Sequence, residues 1–293
     1  MQLCSNIFLS YSTASCITLN KYFVFSLIAI PPAQGHYEVV EFLLKKGANP
    51  NTDIPTNQTL IRMTPLLFAA TNGHLGIAKL LIKYGADLNK RSPENVGILE
   101  IAIDEDNLEM VELLIKSGIE LEYKAQNYLM SPFHRAVSNG HYDIAKLLIS
   151  HGADINSRLG DENTPMHTAI MVKNIRMVKL LLSHGVDINI KGIGNHTPLQ
   201  TAVTIWHYEI VEFLLENGAN VNEEYADGCT TLLHIACQNG GHNNITEILI
   251  KYGAKLDALD ENGCAPIHFA ADEGLHLIVR NLLKKGNITK FSN

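Results

Sequence analysis

The stretch SPFHRAVSNGHYDIAKLLISHGADIN, residues 131–156, decides the fold. Ser131-Pro132 opens a helix, because a hydroxyl accepts from the free N–H groups of a first turn and proline fits the first helical position. Small or β-branched residues, Ala136 and Val137, follow His134 by two and three places and let a neighbouring helix approach closely. After Gly140-His141 a second helix carries Ile144, Leu147 and Leu148 at i, i+3 and i+4, one buried stripe. Gly152 then supplies the left-handed residue that stops it. The stretch is therefore two short antiparallel helices that cannot bury their apolar faces alone.

The same phrase recurs along the chain. Gly47, Gly85, Gly118, Gly152, Gly185, Gly218, Gly253 and Gly286 are spaced by 38, 33, 34, 33, 33, 35 and 33 residues, each closing a phrase such as LLIKYGADLN (80–89) or FLLENGANVN (213–222). A fixed period of this length means a solenoid, in which each unit buries its core against copies of itself. Helix openings recur at Thr64-Pro65, Thr164-Pro165, Thr197-Pro198 and Ala265-Pro266, and apolar stripes at Ile77/Leu80/Leu81, Met110/Leu113/Leu114, Met177/Leu180/Leu181, Ile210/Phe213/Leu214 and Ile245/Ile248/Leu249. The polar runs between units, such as Ser157 to Asn163, read as projecting turns or hairpins. The expected class is all-α.

These residues resemble the ankyrin repeat, whose pattern is Gly-X-Thr-Pro-Leu-His-X-Ala-Ala followed by Gly-His and a glycine-terminated second helix. Residues 131–156 and APIHFAADEG (265–274) match it best, and the resemblance runs from about Gly35 to Lys290, seven full repeats and a partial one. It implies an ankyrin-repeat solenoid of stacked helix-turn-helix units with projecting β-hairpin-like loops, acting without catalysis as a protein–protein interaction module. It also marks Asn89, Asn156, Asn189 and Asn222 as positions where an asparaginyl hydroxylase acts.

Departures from the pattern carry expectations of their own. The third unit reads GILE at 97–100 in place of Thr-Pro-Leu-His, so its cap and histidine hydrogen bonds are expected to be lost. Extra residues near Thr52 to Arg62, near Cys229-Thr230 and at Gly240-Gly241 are expected to form surface bulges. Asn281 replaces the usual leucine of the last outer helix, which suits a terminal unit. At the other end, Pro31-Pro32 fall where the close-packed alanines of a first helix belong, and proline inside a helix costs about 3 kcal/mol or more. Residues 1–35 therefore read as an irregular segment or degenerate half-repeat and 36–293 as the array, with the first stripe at Val39, Phe42 and Leu43. The apolar run Tyr22 to Ile30 is too short to span a bilayer. As a signal-peptide core it would be cleaved after Ala33-Gln34-Gly35, the less favoured reading.

Composition excludes several functions. A formal charge of −7, with a pI near 6.0, argues against a phosphate-backbone partner. The five cysteines leave residues 17–228 empty, which is no disulfide framework and fits the cytoplasm, with the nucleus as an alternative. Of the thirteen histidines, His134, His167, His234 and His268 fill the first-helix position and His36, His74, His141, His207 and His242 the turn position, so they read as structural. Cys229, Cys237 and Cys264 with His234 and His268 lack a short Cys-X-X-Cys pair, and no zinc site, other metal or cofactor is expected. Phosphate-loop, nucleophile-elbow and HExxH motifs are absent, so catalysis is not expected.

By the resemblance, partners bind hairpin tips and the two helix positions after the small residues. Here these are Thr71/Asn72, Asp104/Glu105, Ser138/Asn139, Met171/Val172, Thr204/Ile205, Gln238/Asn239 and Asp272/Glu273. Trp206, the sole tryptophan, follows where the pattern has glycine. Met171, Val172, Thr204, Ile205 and Trp206, with Ser138, Asn139 and His196 around them, read either as the binding centre of a monomer that contacts a protein and neither nucleic acid nor membrane interior, or as local packing in which Trp206 folds onto its neighbour and Met171 and Val172 fill a gap. Alternatives are an adaptor piece of a larger ankyrin protein, of ubiquitin-ligase receptor or ion-channel type, and a secreted repeat effector. The chain stops at Asn293, seven residues after Gly286, which leaves no room for an effector domain in this sequence.

Overall fold

The computed structural model describes residues 34–52, 54–56, 59–92, 95–121, 130–160, 162–225, 228–238 and 243–286. The expectations for Tyr22 to Ile30 and the rest of 1–33 lie outside them. The chain divides into two units, Met1–Lys124 with Asp143–Ala153, and Ala125–Tyr142 with Asp154–Asn293.

The first unit contains α1 (Gln34–Lys45), a hairpin of β1 (Ile54–Thr56) and β2 (Thr59–Met63), then α2 (Pro65–Thr71), α3 (Leu75–Lys83), α4 (Ile98–Asp104) and α5 (Leu108–Lys116). Inner helices α2 and α4 pack side by side, as do outer helices α1, α3 and α5, and each inner helix packs on the outer helix that follows it. The extra residues after Thr52 do more than bulge, because β1 and β2 pair antiparallel with Ile54 opposite Met63 and Pro55 opposite Arg62. Helix α1 starts at Gln34, inside the segment expected to be irregular, and its buried stripe is Val40, Leu43 and Leu44 while Phe42 is 44% exposed. The stripe keeps its i, i+3, i+4 spacing but sits one residue later than Val39/Phe42.

Helix α6 (Pro132–Asn139) belongs to the second unit, whereas α7 (Tyr142–Ser150) lies almost wholly in the first. The second unit continues through α8 (Pro165–Met171), α9 (Ile175–Ser183), α10 (Pro198–Thr204), α11 (Tyr208–Glu216), α12 (Leu232–Cys237), α13 (Asn243–Lys251), α14 (Pro266–Asp272) and α15 (His276–Gly286). Its inner row runs α6, α8, α10, α12, α14 and its outer row α9, α11, α13, α15, each helix packed on the next in its row. The core is the apolar seam between rows, for example Ala169, Ile170, Met177, Leu181, Ala202, Val203, Ile210 and Leu214, all without solvent exposure.

Sequence explains why each helix is short. Thr64, Ser131 and Thr197 accept from the backbone N–H three residues on, before the proline-led first turns of α2, α6 and α10. Thr164 differs, because its hydroxyl meets His167 Nδ1 at 2.8 Å instead of a backbone N–H. Outer helices stop at the phrase-closing glycines, where Gly85, Gly118, Gly152, Gly185, Gly218 and Gly253 all have φ between 84° and 93°.

Candidate functional site

The face that can meet a partner is set by how each unit is tied to the next. In the second unit the histidine position of α6, α8, α10 and α12 reaches the hairpin that follows it. His134 Nε2 donates to the Asn163 carbonyl at 3.3 Å, His167 Nε2 to His196 O at 3.0 Å, and His234 Nε2 to Cys264 O at 3.0 Å. Gln200 does the same work with an amide, donating to Glu224 O at 3.0 Å while its Oε1 accepts from Thr197 N at 2.7 Å. These side chains are buried, so each bond is worth most where water cannot compete. Burial, only partly offset by the bond to His196, holds His167 below the ordinary imidazole pKa. His268 in α14 is exposed, and its Nδ1 accepts from Ala265 N at 2.9 Å.

The third repeat, in the first unit, solves the same problem with a charge. Glu100 occupies the histidine position, is 2% exposed and pairs with the Arg91 guanidinium, whose Nε also donates to Asn95 O at 2.9 Å. Loss of the cap and histidine thus does not leave an empty position. Gly97 makes room for the pair, since a Cβ there would lie 2.6 Å from Glu100 Oε2. Ile98, Leu99, Ala102 and Ile103 bury the helix as in its neighbours.

On this scaffold the second unit presents an apolar patch at the free ends of α8 and α10. Met171 is 52% and Val172 43% exposed; Thr204 is exposed, and Ile205 and Trp206 are half-buried one helix away. Trp206 has φ 60°, and Lys173, at the same turn position of the preceding repeat, has φ 57°. A bulky L residue in that region is an outlier. Beside the helix ends, the hairpin contributes Ile193, 46% exposed, and His196, whose ring meets Tyr225 edge-on at 5.1 Å. Tyr225 Oη lies 3.4 Å from Thr204 Oγ1, so consecutive hairpins and α10 form one connected surface. Lys191 pairs with Glu223 between the same hairpins and holds the Glu223 carboxyl below its ordinary pKa. Burial, and then Lys191, lowers the His196 pKa, while burial raises that of Tyr225.

Of the residues named from sequence, Met171, Val172, Thr204, Ile205, Trp206 and His196 lie on or beside this surface, and Ser138 and Asn139 end α6, next in the inner row. Ile193 and Tyr225 were missed. An apolar or aromatic residue in an otherwise polar hairpin was the signal available for both. Exposure separates the marked asparagines. Asn89, Asn156 and Asn189 are exposed, whereas Asn222 is half-buried and clasped, its Nδ2 donating to Gly253 O at 3.2 Å and its Oδ1 accepting from Lys255 N at 2.8 Å.

Other features carry less chemistry. Burial pushes the Cys237 thiol up to about 12, which makes it unreactive. A groove of about 610 Å³ beside α11, α13 and α15 is lined by Tyr208, Glu247, Lys251 and Lys285, but Lys251 pairs with Glu212 and Glu247 accepts from Asn281. Among the described residues no group of three or more His, Cys, Asp or Glu is placed to hold a metal ion, and no helix is long and apolar enough to cross a membrane.

Comparison with known proteins agrees with this architecture. A family profile for ankyrin repeats, three copies long, matches residues 27–125, 98–159, 133–225 and 223–292. The chain belongs to the ankyrin-repeat family, whose members are in general protein–protein interaction modules. The ankyrin repeat domain of human ASB11 superimposes with a TM-score of 0.62 at 24% identity, covering 79% of this chain and 98% of that one. Among curated proteins, protein phosphatase 1 regulatory subunit 27 of mouse is 40% identical over 62 residues, 21% of this chain and 40% of that protein. Putative ankyrin repeat protein FPV244 of fowlpox virus is 35% identical over 66 residues, 22% of this chain and 10% of that protein. The chain thus matches less than half the length of these curated relatives.

Proposed function

We propose that the chain is a non-enzymatic recognition module that binds a protein through the inner-helix ends and hairpins of its second unit, centred on Met171, Val172, Ile205 and Trp206 with Thr204 and His196 beside them. The observation that carries this reading is the pair Met171 and Val172, 52% and 43% exposed at the end of α8, which packs on α10, whose end carries a tryptophan at φ 60°. Exposed apolar residues packed around an aromatic and rimmed by polar groups are where binding energy concentrates. Two relatives named as regulatory subunits of protein phosphatase 1 share a repeat stretch with this chain, which supports a protein as the ligand class.

The test is affinity capture with the parent chain and with Trp206→Ala and Met171→Ser, each first shown by thermal melting to fold. Proteins held by the parent and lost by both variants support the reading. An unchanged set would move the surface elsewhere. Cytoplasmic residence and a monomeric state complete the proposal and are checked by fractionation and light scattering. Asn89, Asn156 and Asn189 are proposed as hydroxylation positions ahead of the clasped Asn222. Peptide mass spectra of native material lacking one added oxygen at all four would remove that part.

A further inference from the structure

The charge along the inner row of the second unit is ordered. The end of α6 carries the neutral Ser138 and Asn139, and exposed Lys173 follows Val172 at the end of α8. The end of α10 carries Thr204, Ile205 and Trp206, that of α12 the half-buried amide Gln238, and that of α14 exposed Asp272 and Glu273. From α8 onward the row therefore passes from apolar with one flanking cation, to neutral and then anionic, within one set of successively packed helices. Trp206 adds an independent observation. Its backbone sits at φ 60° in a turn where glycine stands at Gly73, Gly140 and Gly274 and small or flexible residues at Asp106 and Lys173, so the largest side chain of the series is held, half-buried, at the end of α10.

Resting on the proposed binding face, we infer that its occupant is an extended protein segment with a large apolar residue seated at Met171, Ile205 and Trp206 and a lysine or arginine set over Asp272 and Glu273. The spacing follows from the helices. Packed neighbours lie about 8–10 Å apart. Two steps from α10 and three from α8 to α14 make about 16–30 Å, which an extended chain rising about 3.3 Å per residue covers in about five to nine residues. Lys173 beside the apolar seat disfavours a cation next to the anchor, so the basic residue belongs at the far end. Complementarity of this kind fixes orientation and suppresses wrong partners.

The test is selection of a displayed library of random peptides, about 16 residues long so that an extended chain spans the row, on the full chain. Enriched peptides are expected to share a large apolar residue and, five to nine positions to one side, lysine or arginine. On a chain carrying Asp272→Lys and Glu273→Lys, selection is expected to keep the apolar residue and replace the base by aspartate or glutamate. A basic peptide from the first selection should bind that variant at least tenfold more weakly. Both substitutions are at an exposed helix C-terminus, where lysine suits the helix dipole, and melting verifies the fold. Enrichment of an apolar residue with no basic partner, or a basic preference that survives the reversal, overturns the inference while leaving the binding face intact. Enrichment unchanged by Trp206→Ala, or no enrichment at all, overturns both.

Discussion

Adding a β-carbon at Gly97 should be harmful alone and harmless once Glu100 is restored to histidine. The Glu100 side chain is 3% exposed and that of Arg91 27%, and a Cβ at Gly97 would approach Glu100 Oε2 to 2.6 Å and Arg91 Nη1 to 3.2 Å. Gly97→Thr must therefore displace the carboxylate from its only charged partner in this pair, an overpacking cost of about 1–3 kcal/mol. Glu100→His alone strands Arg91 near the hairpin and lacks a hydroxyl to donate to its ring, as Thr231 Oγ1 donates to His234 Nδ1 at 2.9 Å. The double variant rebuilds that Thr–His arrangement, so the pair should couple favourably by about 1–3 kcal/mol. Because repeats open regionally, amide exchange across Ile98–Asp104 is the assay, with urea melts of the whole chain beside it. Gly97→Thr protected like the parent, or a double variant as weak as the sum of the single ones, would refute the reasoning.

Burial keeps His167 neutral in the fold, below its ordinary 6.5, so the unfolded chain takes up a proton first as pH falls. The contribution is complete above about pH 6.5 and is lost below it; His167→Gln, which copies Gln200, should flatten the fall in melting temperature between neutral and mildly acid pH, and an unchanged slope would assign it to other groups. Leu148 has no solvent exposure, and Leu148→Ala should cost about 2–5 kcal/mol by urea denaturation; the half-buried Leu147 should cost less, and the reverse order would contradict the packing. Glycine at 206 should be more stable than alanine there by about 1 kcal/mol, since the truncation is nearly the same and only the left-handed backbone distinguishes them. Equal urea midpoints would remove strain from the account of Trp206.

The glycine-closed phrase made the repeat legible because it encodes local requirements: a stop for a helix, a cap, and a stripe at helical spacing. Which residue of a stripe lies deepest depends on how helices turn against one another. That is why Val40 rather than Val39, and Leu148 rather than Leu147, carry the burial. Glu100 was read as a loss because its partner is Arg91, nine residues upstream in a hairpin whose path no spacing rule gives. The surface positions after the small residues were legible as a register. Tyr225 and Ile193 were not, since hairpin residues join the surface only through tertiary contacts such as Tyr225 with Thr204 and His196.

A left-handed backbone at Lys173 and Trp206, as at Asp106 in the third repeat, raises the question of how these turns tolerate it. A strained residue costs about 1–3 kcal/mol and persists only where its surroundings over-determine it. Here they do. Lys173 N donates to Ile170 O at 2.8 Å and Trp206 N to Val203 O at 3.1 Å, closing each inner helix, while Asn174 N and His207 N reach Ala169 O and Ala202 O at 2.9 and 3.1 Å. Each turn is thus pinned by backbone bonds on both sides of the strained residue, above inner helices whose His167 and Gln200 are themselves bonded to the next hairpin. Nothing in this bonding depends on the side chain at 173 or 206, and glycine serves the same turn at Gly140. The backbone thus fixes the turn whatever side chain it carries, and whether the half-buried tryptophan at 206 serves recognition or packing is what Trp206→Ala separates: lost binding with an unchanged melt for the first, a lowered melt with unchanged binding for the second.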